Sequence, residues 1–344
     1  MNRMHWLDAL AARLVATRRP RFFEDGWGAS GLLEKLTRGP QGFAFPELHD
    51  VTLGPTRREG RLLVQEGHFP SPAAVGSLPE SCHQARFQLL LPHGAGPLPP
   101  VCVFLASSGD EGFGLRRFIA RKLARSGVGA LLLENPYYGA RRPPGQVGPA
   151  VRTVADLLLM FRATAVEATA LLGWLLARGH PKVGVSGYSM GGSIAAYAAA
   201  LFPLPVAVIP LAVADSAAPV FTEGVLSGVP DWEALGKPLG GSTEAARKRL
   251  ADVLAAVSTT ALPPLSQPRR AILMAARQDG FVPAASTLRL LRHWRGAELR
   301  YLRGGHLSAF VTERGAIVRA ILEAFSRVEP LQVPPEEPTP GEPH

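Results

Sequence analysis

The sequence predicts an α/β fold with a mostly parallel central sheet, flanking helices and a small helical insertion before the later strands. Short apolar runs rich in β-branched residues alternate with longer stretches whose apolar residues recur at helical spacing. A glycine-flanked serine, in Gly187-Tyr188-Ser189-Met190-Gly191, separates one such run from an alanine-rich stretch. Strands that alternate with helices pair in parallel, because each helix carries the chain back to the starting edge of the sheet.

This alternation divides the chain into a core, an insertion and two flanking segments. Residues 1–60 are predicted to form a helical and irregular extension, and residues 61–213 and 267–330 the α/β core. The insertion covers residues 214–266 and consists of short helices broken by glycine and proline. Residues 331–344 are rich in proline and glutamate, which is typical of a disordered tail.

The core elements are predicted in a regular order along the chain. Paired strands near 61–69 and 86–91 begin the sheet. The other elements are a strand ending at Ala106, a helix over 115–125, a strand over 129–134, a helix over 155–178, the strand before Ser189 and the helix Ser193 to Leu201, strands over 206–213, 271–276 and 299–303, and a final helix near 309–326.

Ser189 lies at a strand-to-helix bend, a position suited to a nucleophile. Glycines at 187 and 191 let strand and helix approach closely, and the tight bend holds the serine above the edge of the sheet. The first N–H groups of the following helix point at whatever the serine attacks. The pattern therefore predicts Ser189 as a nucleophile.

A serine hydroxyl needs a base and an acid, and both follow Ser189 in the chain. Asp279 lies in a turn after the strand over 271–276, and His306 follows the next strand. Adjacent parallel strands place these residues at one edge of the sheet. Asp215, after the strand over 206–213, is the alternative acid. His68 and His83 precede the serine, which is the wrong order for this kind of site.

The negative oxygen of an acyl-transfer intermediate needs hydrogen-bond donors from the main chain. One is predicted to be the N–H of Met190, directly after the nucleophile. The other is expected in the small-residue loop after the strand ending at Ala106, where Ser108 is preferred and Ser107 is the alternative.

The insertion of residues 214–266 is a candidate lid, because it lies between strands whose ends form the active edge. Its apolar residues either line an acyl pocket or form the small core of the lid itself, and both alternatives stay open; they are Phe221, Val225, Leu226 and Trp232.

The chain resembles the abhydrolase domain-containing protein 18 family over almost its whole length. The segment Glu134-Asn135-Pro136-Tyr137-Tyr138-Gly139 is specific to that family, whereas the family's loop is closer to Ala-Gly-Thr-Gly-Asp than to the sequence at 106–110. The other matching stretches are 25–28, 67–72, 189–192, 224–227 and 300–309. The resemblance implies an α/β-hydrolase fold, a triad of Ser189, Asp279 and His306, and a serine hydrolase that acts on lipid esters or phospholipids.

The tyrosines of that family segment and the arginine after it are candidate substrate contacts. Tyr137 and Tyr138 form part of a turn, and they either orient a substrate headgroup or hold the oxyanion loop. Arg141, with Arg142 beside it, is a candidate ligand for phosphate, because a guanidinium matches phosphate oxygens.

The composition favours anionic partners but not nucleic acid. There are 37 basic and 28 acidic side chains, for a net charge of +9. Such a balance favours a membrane surface or an acidic substrate. The arginines lack interleaved aromatic residues and any nucleic-acid motif, so nucleic-acid binding is not expected. Two cysteines are too few for a disulfide framework, and no secretory signal or membrane span is recognised, so a cytoplasmic protein is expected.

The opening segment has an apolar stripe and a basic end. Trp6, Leu7, Leu10 and Leu14 share one helical face, and arginines follow at 18, 19 and 21. The expectation is that the stripe packs on the protein's own core. The alternative is peripheral contact with an anionic membrane.

The sequence thus predicts a serine esterase that forms an acyl-enzyme on a small-molecule or lipid ester and needs no metal or organic cofactor. Acyl transfer, thioester cleavage and peptide cleavage use the same triad. A non-catalytic, membrane-associated adaptor that kept the fold is the alternative of a different class. The sequence leaves the oligomeric state open.

Overall fold

A central sheet of mixed pairing organises the protein. The computed structural model describes residues 4–17, 20–38, 46–74, 77–94 and 98–330. Within them the strands are β1 (Thr52–Leu53), β2 (Arg57–Glu59), β3 (Leu62–Pro70), β4 (Gln84–Pro92), β5 (Val101–Leu105), β6 (Gly129–Leu133), β7 (Val183–Tyr188), β8 (Ala207–Leu211), β9 (Ile272–Ala276) and β10 (Glu298–Leu302).

The helices flank this sheet and form the insertion. They are α1 (Trp6–Ala16), α2 (Ser30–Thr37), α3 (Gly114–Arg125), α4 (Val154–Ala177), α5 (Met190–Leu201), α6 (Ala218–Thr222), α7 (Trp232–Gly236), α8 (Thr243–Ala255), α9 (Ala284–His293), α10 (His306–Thr312) and α11 (Arg314–Ser326).

The strand order is β1-β3-β4-β6-β5-β7-β8-β9-β10. Strand β1 pairs with the second half of β3, and β2 pairs with the beginning of β3. Pairing is antiparallel from β1 to β6 and parallel from β6 to β10. The parallel strands end at one edge of the sheet, so the loops that follow β5, β7, β8, β9 and β10 are brought together. The predicted α/β class with a mostly parallel sheet is confirmed.

The strands in the middle of the sheet are apolar because helices cover both faces. Strands β5 to β9 are buried along their whole length, which explains their continuous apolar sequence. Helices α4, α5 and α9 contribute to the core on one face, and α3 and α11 to the core on the other. Edge strand β10 is half-exposed and carries the more polar, alternating sequence.

Several element bounds differ from the sequence prediction. The final helix is two helices, α10 and α11, which meet at Glu313, and α10 begins at His306 rather than near 309. Helix α5 begins at Met190, directly after the nucleophile candidate. Strands β1 and β2 lie in the predicted extension and yet pair with β3. The predicted disordered tail over 331–344, and Arg18 and Arg19, lie outside the described residues.

The expectation that the apolar stripe of α1 packs on the core is wrong. Trp6, Leu10 and Leu14 are 66%, 48% and 57% exposed, whereas Asp8 on the inner side is fully buried. Helix α1 packs against α10 and the turn at 225–228. A carboxylate is tolerated on the inner side because Asp8 accepts hydrogen bonds there from the backbone N–H groups of His306 and Leu307.

Among the described residues, no helix combines the length and the apolar character that crossing a membrane requires.

Candidate active site

Ser189 adopts a strained backbone conformation at the bend between β7 and α5. Its φ is 57° and its ψ is −121°, in a region that residues with a side chain rarely occupy. The N–H of Ser189 donates to the carbonyl of Leu211 on the neighbouring strand, at 2.9 Å. The bend therefore holds the serine at the carboxyl edge of the sheet, as the sequence predicted.

The glycines around Ser189 are required by close backbone contacts. A Cβ on Gly187 would lie 2.4 Å from the backbone of Gly191, and a Cβ on Gly191 would lie 2.5 Å from the carbonyl oxygen of Leu105. Neither position can accept a larger residue without moving the strand or the helix. The glycine spacing in the sequence thus reflects how tightly β5, β7 and α5 meet.

Asp279 and His306 are joined by a hydrogen bond at the same edge. His306 Nδ1 lies 2.8 Å from Asp279 Oδ2, and both side chains are buried. The other oxygen, Asp279 Oδ1, accepts from the N–H groups of Phe281 and Val282 at 2.9 Å and 2.8 Å. These bonds fix the carboxylate, so that Oδ2 can accept a hydrogen bond from Nδ1–H of His306, and Nε2 of the imidazole stays available to a second partner.

Two aromatic rings hold the imidazole of His306. Phe281 stacks on it at 4.8 Å between ring centres, and Tyr188 meets it edge-on at 5.3 Å. The Tyr188 hydroxyl donates to the backbone carbonyl of His306. Burial, together with the nearby carboxylates Asp279 and Asp8, raises the pKa of Tyr188, so the phenol stays protonated and remains a donor.

A cavity of about 930 Å³ connects the predicted reactive groups. Ser189, Met190, Ser107, Ser108 and His306 all line it. Asp279 lies behind His306, outside this lining. The structure therefore brings the serine, the histidine and the predicted oxyanion donors to one cavity.

The loop after β5 is held by a tyrosine and by a buried ion pair. The hydroxyls of Ser108 and Tyr138 lie 3.4 Å apart, and Tyr138 is fully buried. Arg116 Nε lies 2.7 Å from Asp110 Oδ2, and the same guanidinium donates to the carbonyl of Phe104 at the end of β5. The sequence predicts that Tyr138 either orients a substrate headgroup or holds the loop of the predicted oxyanion donor Ser108. Its position supports the second role.

Tyr137 and Arg141 lie behind the cavity wall. Tyr137 donates to Asp156 at 2.9 Å, and the Arg141 guanidinium pairs with Glu167 at 2.6 Å and 2.8 Å. The Arg141 side chain is 1% exposed. The structure contradicts the predicted contact between Arg141 and a substrate, because the Arg141 guanidinium is buried and paired with Glu167. The neighbouring Arg142 lines the cavity instead.

The alternative acid and the alternative histidines have other partners. Asp215 receives two hydrogen bonds from Arg289, at 2.9 Å and 3.0 Å, and a third from Ser286. His83 bonds to the carbonyl of Leu78, and His68 lies in β3, away from the cavity. The carboxylate that is hydrogen-bonded to His306 is therefore that of Asp279, not that of Asp215.

The lid residues divide between the two alternatives left open by the sequence. Phe221 and Leu226 line the cavity. Trp232 lies outside that lining, donates to the carbonyl of Ser227 and stacks under the guanidinium of Arg247. The insertion of residues 214–266 therefore supplies part of the cavity wall and keeps part of its apolar surface for its own packing.

Some residues of the site carried no recognised signal in the sequence. Leu157, Leu158 and Phe161 on α4 line the cavity, although their stretch reads only as a long apolar helix. Asp8 accepts hydrogen bonds from the N–H groups of Gly280, His306 and Leu307. The only local hint of Asp8 was an acidic residue in the first turn of a helix.

Comparison with known proteins agrees with this architecture. The fold resembles an acetyl xylan esterase from Paenibacillus sp. R4 (TM-score 0.57, 16% identity, 90% of this chain and 99% of that chain). It also resembles the alpha/beta hydrolase GrgF from Penicillium sp. sh18 (0.53, 17%, 77% and 98%) and acetyl xylan esterase 1 from Thermoanaerobacterium sp. JW/SL YS485 (0.53, 12%, 90% and 98%). Identities this low establish likeness of fold alone.

The family assignment rests on the sequence itself. A family model described as "Alpha/beta hydrolase domain containing 18" matches residues 20–243 and 237–327, which together span most of the chain and include Ser189, Asp279 and His306. The fold is accordingly the α/β-hydrolase fold, and the resemblance predicted from the motifs is confirmed. The chain belongs to the alpha/beta hydrolase domain containing 18 family.

Proposed function

We propose that this protein is a serine hydrolase that cleaves the carboxylic ester of a lipid through an acyl-enzyme. The observation that carries the proposal is the shared cavity, in which the strained Ser189 and the Asp279-bound His306 meet an apolar wall. Strained nucleophiles and oriented histidines are characteristic of acyl transfer.

In the proposed reaction each of these groups has one role. Ser189 Oγ attacks the ester carbonyl carbon while His306 Nε2 takes the serine proton, and Asp279 stabilises the resulting imidazolium through Nδ1–H. The N–H of Met190 and an N–H of the loop at Ser108 bind the negative oxygen of the intermediate. His306 then returns its proton to the leaving alcohol, and the C–O bond breaks. Water, activated by His306, releases the fatty acid and restores Ser189.

The cavity wall supports an acyl chain as the main binding element. Apolar side chains from α4 and from the candidate lid over 214–266 line it; they include Leu157, Leu158, Phe161, Leu226, Leu254 and Val257. A cavity of about 930 Å³ is large for a short acyl group and lies within the range of sites for sizeable ligands. Arg21 and Arg142 also line the cavity, and Arg142 is paired there with Glu111, so a phosphate-bearing headgroup would compete with Glu111 for this guanidinium.

Exposed apolar residues at the mouth support contact with an anionic lipid surface. Leu115, Leu307 and Val311 are exposed and also line the cavity. The exposed face of α1 lies beside them, because α1 packs against α10. Exposed apolar side chains beside a cavity favour partial insertion into a lipid layer, and the surplus of basic residues favours anionic lipids.

Labelling with a fluorophosphonate probe tests the enzyme class. We expect one label per native chain, complete loss of label in Ser189→Ala, and normal labelling in Ser326→Ala, an exposed serine at the end of α11. Hydrolysis of p-nitrophenyl esters of rising chain length should then favour long chains. A folded native chain that accepts no label would contradict the acyl-enzyme and favour the non-catalytic adaptor.

The same acyl-enzyme can pass its acyl group to an alcohol or a thiol instead of water. The fold does not decide between these acceptors. Product analysis with an added alcohol, under conditions in which native protein is labelled, distinguishes hydrolysis from transfer.

A further inference from the structure

Asp8 is a fully buried carboxylate on the first helix, and it reaches the loops that carry His306 and Asp279. Asp8 Oδ2 accepts from the N–H groups of His306 at 2.7 Å and Gly280 at 3.0 Å. Asp8 Oδ1 accepts from the N–H of Leu307 at 3.1 Å. One side chain, 298 positions before His306 in the chain, therefore joins the loop of the predicted acid to that of the predicted base.

These contacts meet a need of helix α10. The first N–H groups of a helix have no partner within it, and a residue just before the helix usually receives them through its side chain. Gly305 precedes α10 and has no side chain. The carboxylate of Asp8 receives the N–H groups of His306 and Leu307 in its place, and hydrogen bonds to an ionised acceptor are the stronger kind.

The backbone beside Asp279 and His306 has glycines where Met4 and His5 pack closely against it. A Cβ on Gly280 would lie 2.5 Å from Met4 Sδ, and a Cβ on Gly305 would lie 2.4 Å from the Cβ of His5. The N–H of His5 donates to the carbonyl of Gln278 at 3.2 Å. Glycine thus stands beside both predicted catalytic side chains, at the points where the opening segment makes its closest approach.

We propose that Asp8 is a positioning residue for the hydrolase reaction. It holds the backbone of His306 against the loop of Asp279, and its negative charge favours the imidazolium that forms when His306 takes the proton of Ser189. This inference rests on the proposed serine hydrolase function. It makes the opening helix an integral part of the active site and not an accessory to the α/β core.

Several titratable and charged groups lie near His306. Asp279 contacts the ring from the loop after β9, Asp8 contacts its backbone from α1, and the Tyr188 phenol approaches from the end of β7. The Arg142–Glu111 ion pair, with one charge of each sign, also lines the cavity. Removing the charge of Asp8 makes the imidazolium less favourable, so the acid limb of the kcat/KM profile should move to lower pH.

The test compares native protein with Asp8→Asn and Asp8→Ala on a short, water-soluble ester. Activity is expressed per serine titrated by the fluorophosphonate, so that unfolded protein does not count. We expect Asp8→Ala to lower kcat by about 10- to 100-fold with KM within about twofold, because displaced catalytic groups lose rate more than binding. Both variants should shift the acid limb to lower pH. Asp8→Glu, which retains the charge, should keep the limb near its native position.

The matched control is Asp231→Asn. Asp231 caps lid helix α7 through the N–H of Ala234, away from His306, and asparagine caps a helix about as well as aspartate. We expect its kcat and pH profile to stay within about twofold of native. If Asp8→Ala does not fold, the nearly isosteric Asp8→Asn gives the decisive profile.

Hydrogen exchange provides a readout that does not depend on activity. The amides of Gly280, His306 and Leu307 should exchange at least about tenfold faster in Asp8→Ala than in native protein, while the β5 and β7 amides keep their rates. A folded Asp8→Asn and Asp8→Ala with native exchange, kcat and pH profile would overturn the proposal. A native chain without labelling or hydrolysis would overturn the proposed function alone, and exchange would still decide whether Asp8 joins the two loops.

Discussion

At the scale of single residues, the candidate site combines a strained backbone conformation with buried polar side chains. Ser189 is held at positive φ, and Asp8, Asp279 and His306 are buried polar groups that depend on one another for partners. Buried polar groups cost free energy unless they are hydrogen-bonded. Here the N–H groups of two loops supply those bonds, so the cost is offset by an arrangement that also orients the imidazole.

Replacing Ser189 by glycine should stabilise the protein while it abolishes labelling. Glycine adopts positive φ without strain, and the strain at such a site is of the order of 1 kcal/mol or more. We expect the free energy of unfolding, measured in urea, to rise by about 1 kcal/mol. In the control Ser193→Gly the free energy of unfolding should fall by about 1 to 2 kcal/mol, because Ser193 lies within helix α5 and its Oγ bonds to the backbone of Ala214. A loss of stability in Ser189→Gly would argue against strain at this bend.

The adjacent arginines 141 and 142 should behave in opposite ways. Arg141→Met breaks a buried ion pair with Glu167, so the free energy of unfolding should fall by about 3 to 5 kcal/mol while kcat per titrated serine is kept. Arg142→Met removes a half-exposed cation at the cavity, so stability should change by less than about 1 kcal/mol. The KM for a phosphate-bearing ester should rise several-fold only in Arg142→Met. Equal effects on KM in both variants would contradict these placements.

At the scale of elements, the cavity is built where α4 and the lid face the carboxyl edge of the parallel strands. Strand order alone gathers Ser108, Ser189, Asp279 and His306 at that edge. Helix α4 and lid residues such as Leu226 then enclose the space above the serine. For the proposed esterase, the acyl chain length that is accepted should therefore depend on these helices more than on Ser189, Asp279 and His306.

Narrowing this space should select short substrates. Leu226→Trp adds bulk to the cavity wall, so we expect kcat/KM for a long-chain ester to fall at least about tenfold while that for an acetyl ester stays within about twofold. Leu204→Trp is the control, because Leu204 is exposed before β8 at the opposite edge of the sheet. Chain-length profiles of the two variants give the comparison. An unchanged profile in Leu226→Trp would place the acyl chain elsewhere.

At the scale of the whole molecule, the exposed apolar surface and the net positive charge both favour the proposed contact with an anionic lipid surface. Trp6, Leu10 and Leu14 on α1 are exposed, and α1 packs against α10, whose exposed Leu307 and Val311 line the cavity. The charge of +9 raises the local concentration of protein at an anionic surface. A protein oriented in this way would present its cavity to the lipid layer.

Sedimentation with phospholipid vesicles tests this orientation. The combined change Trp6→Ala, Leu10→Ala and Leu14→Ala should lower binding to anionic vesicles at least about tenfold, because each buried apolar side chain contributes about 1.5 to 3 kcal/mol. Thermal stability and hydrolysis of a soluble ester should change little, since these side chains face solvent. Added salt should weaken native binding. The orientation would be contradicted if the triple variant bound anionic vesicles as tightly as native protein does. It would also be contradicted if native protein bound neutral and anionic vesicles equally.

The sequence by itself determined the fold class and the candidate residues Ser189, Asp279 and His306. These depend on short-range patterns: apolar strands, a glycine-flanked bend, and polar residues directly after strands. Parallel pairing then brings strand ends together without further information. Only the tertiary structure decided the burial of Arg141, the exposure of the α1 stripe and the reach of Asp8 into the site. Those properties arise between residues far apart in the chain, so no local spacing records them.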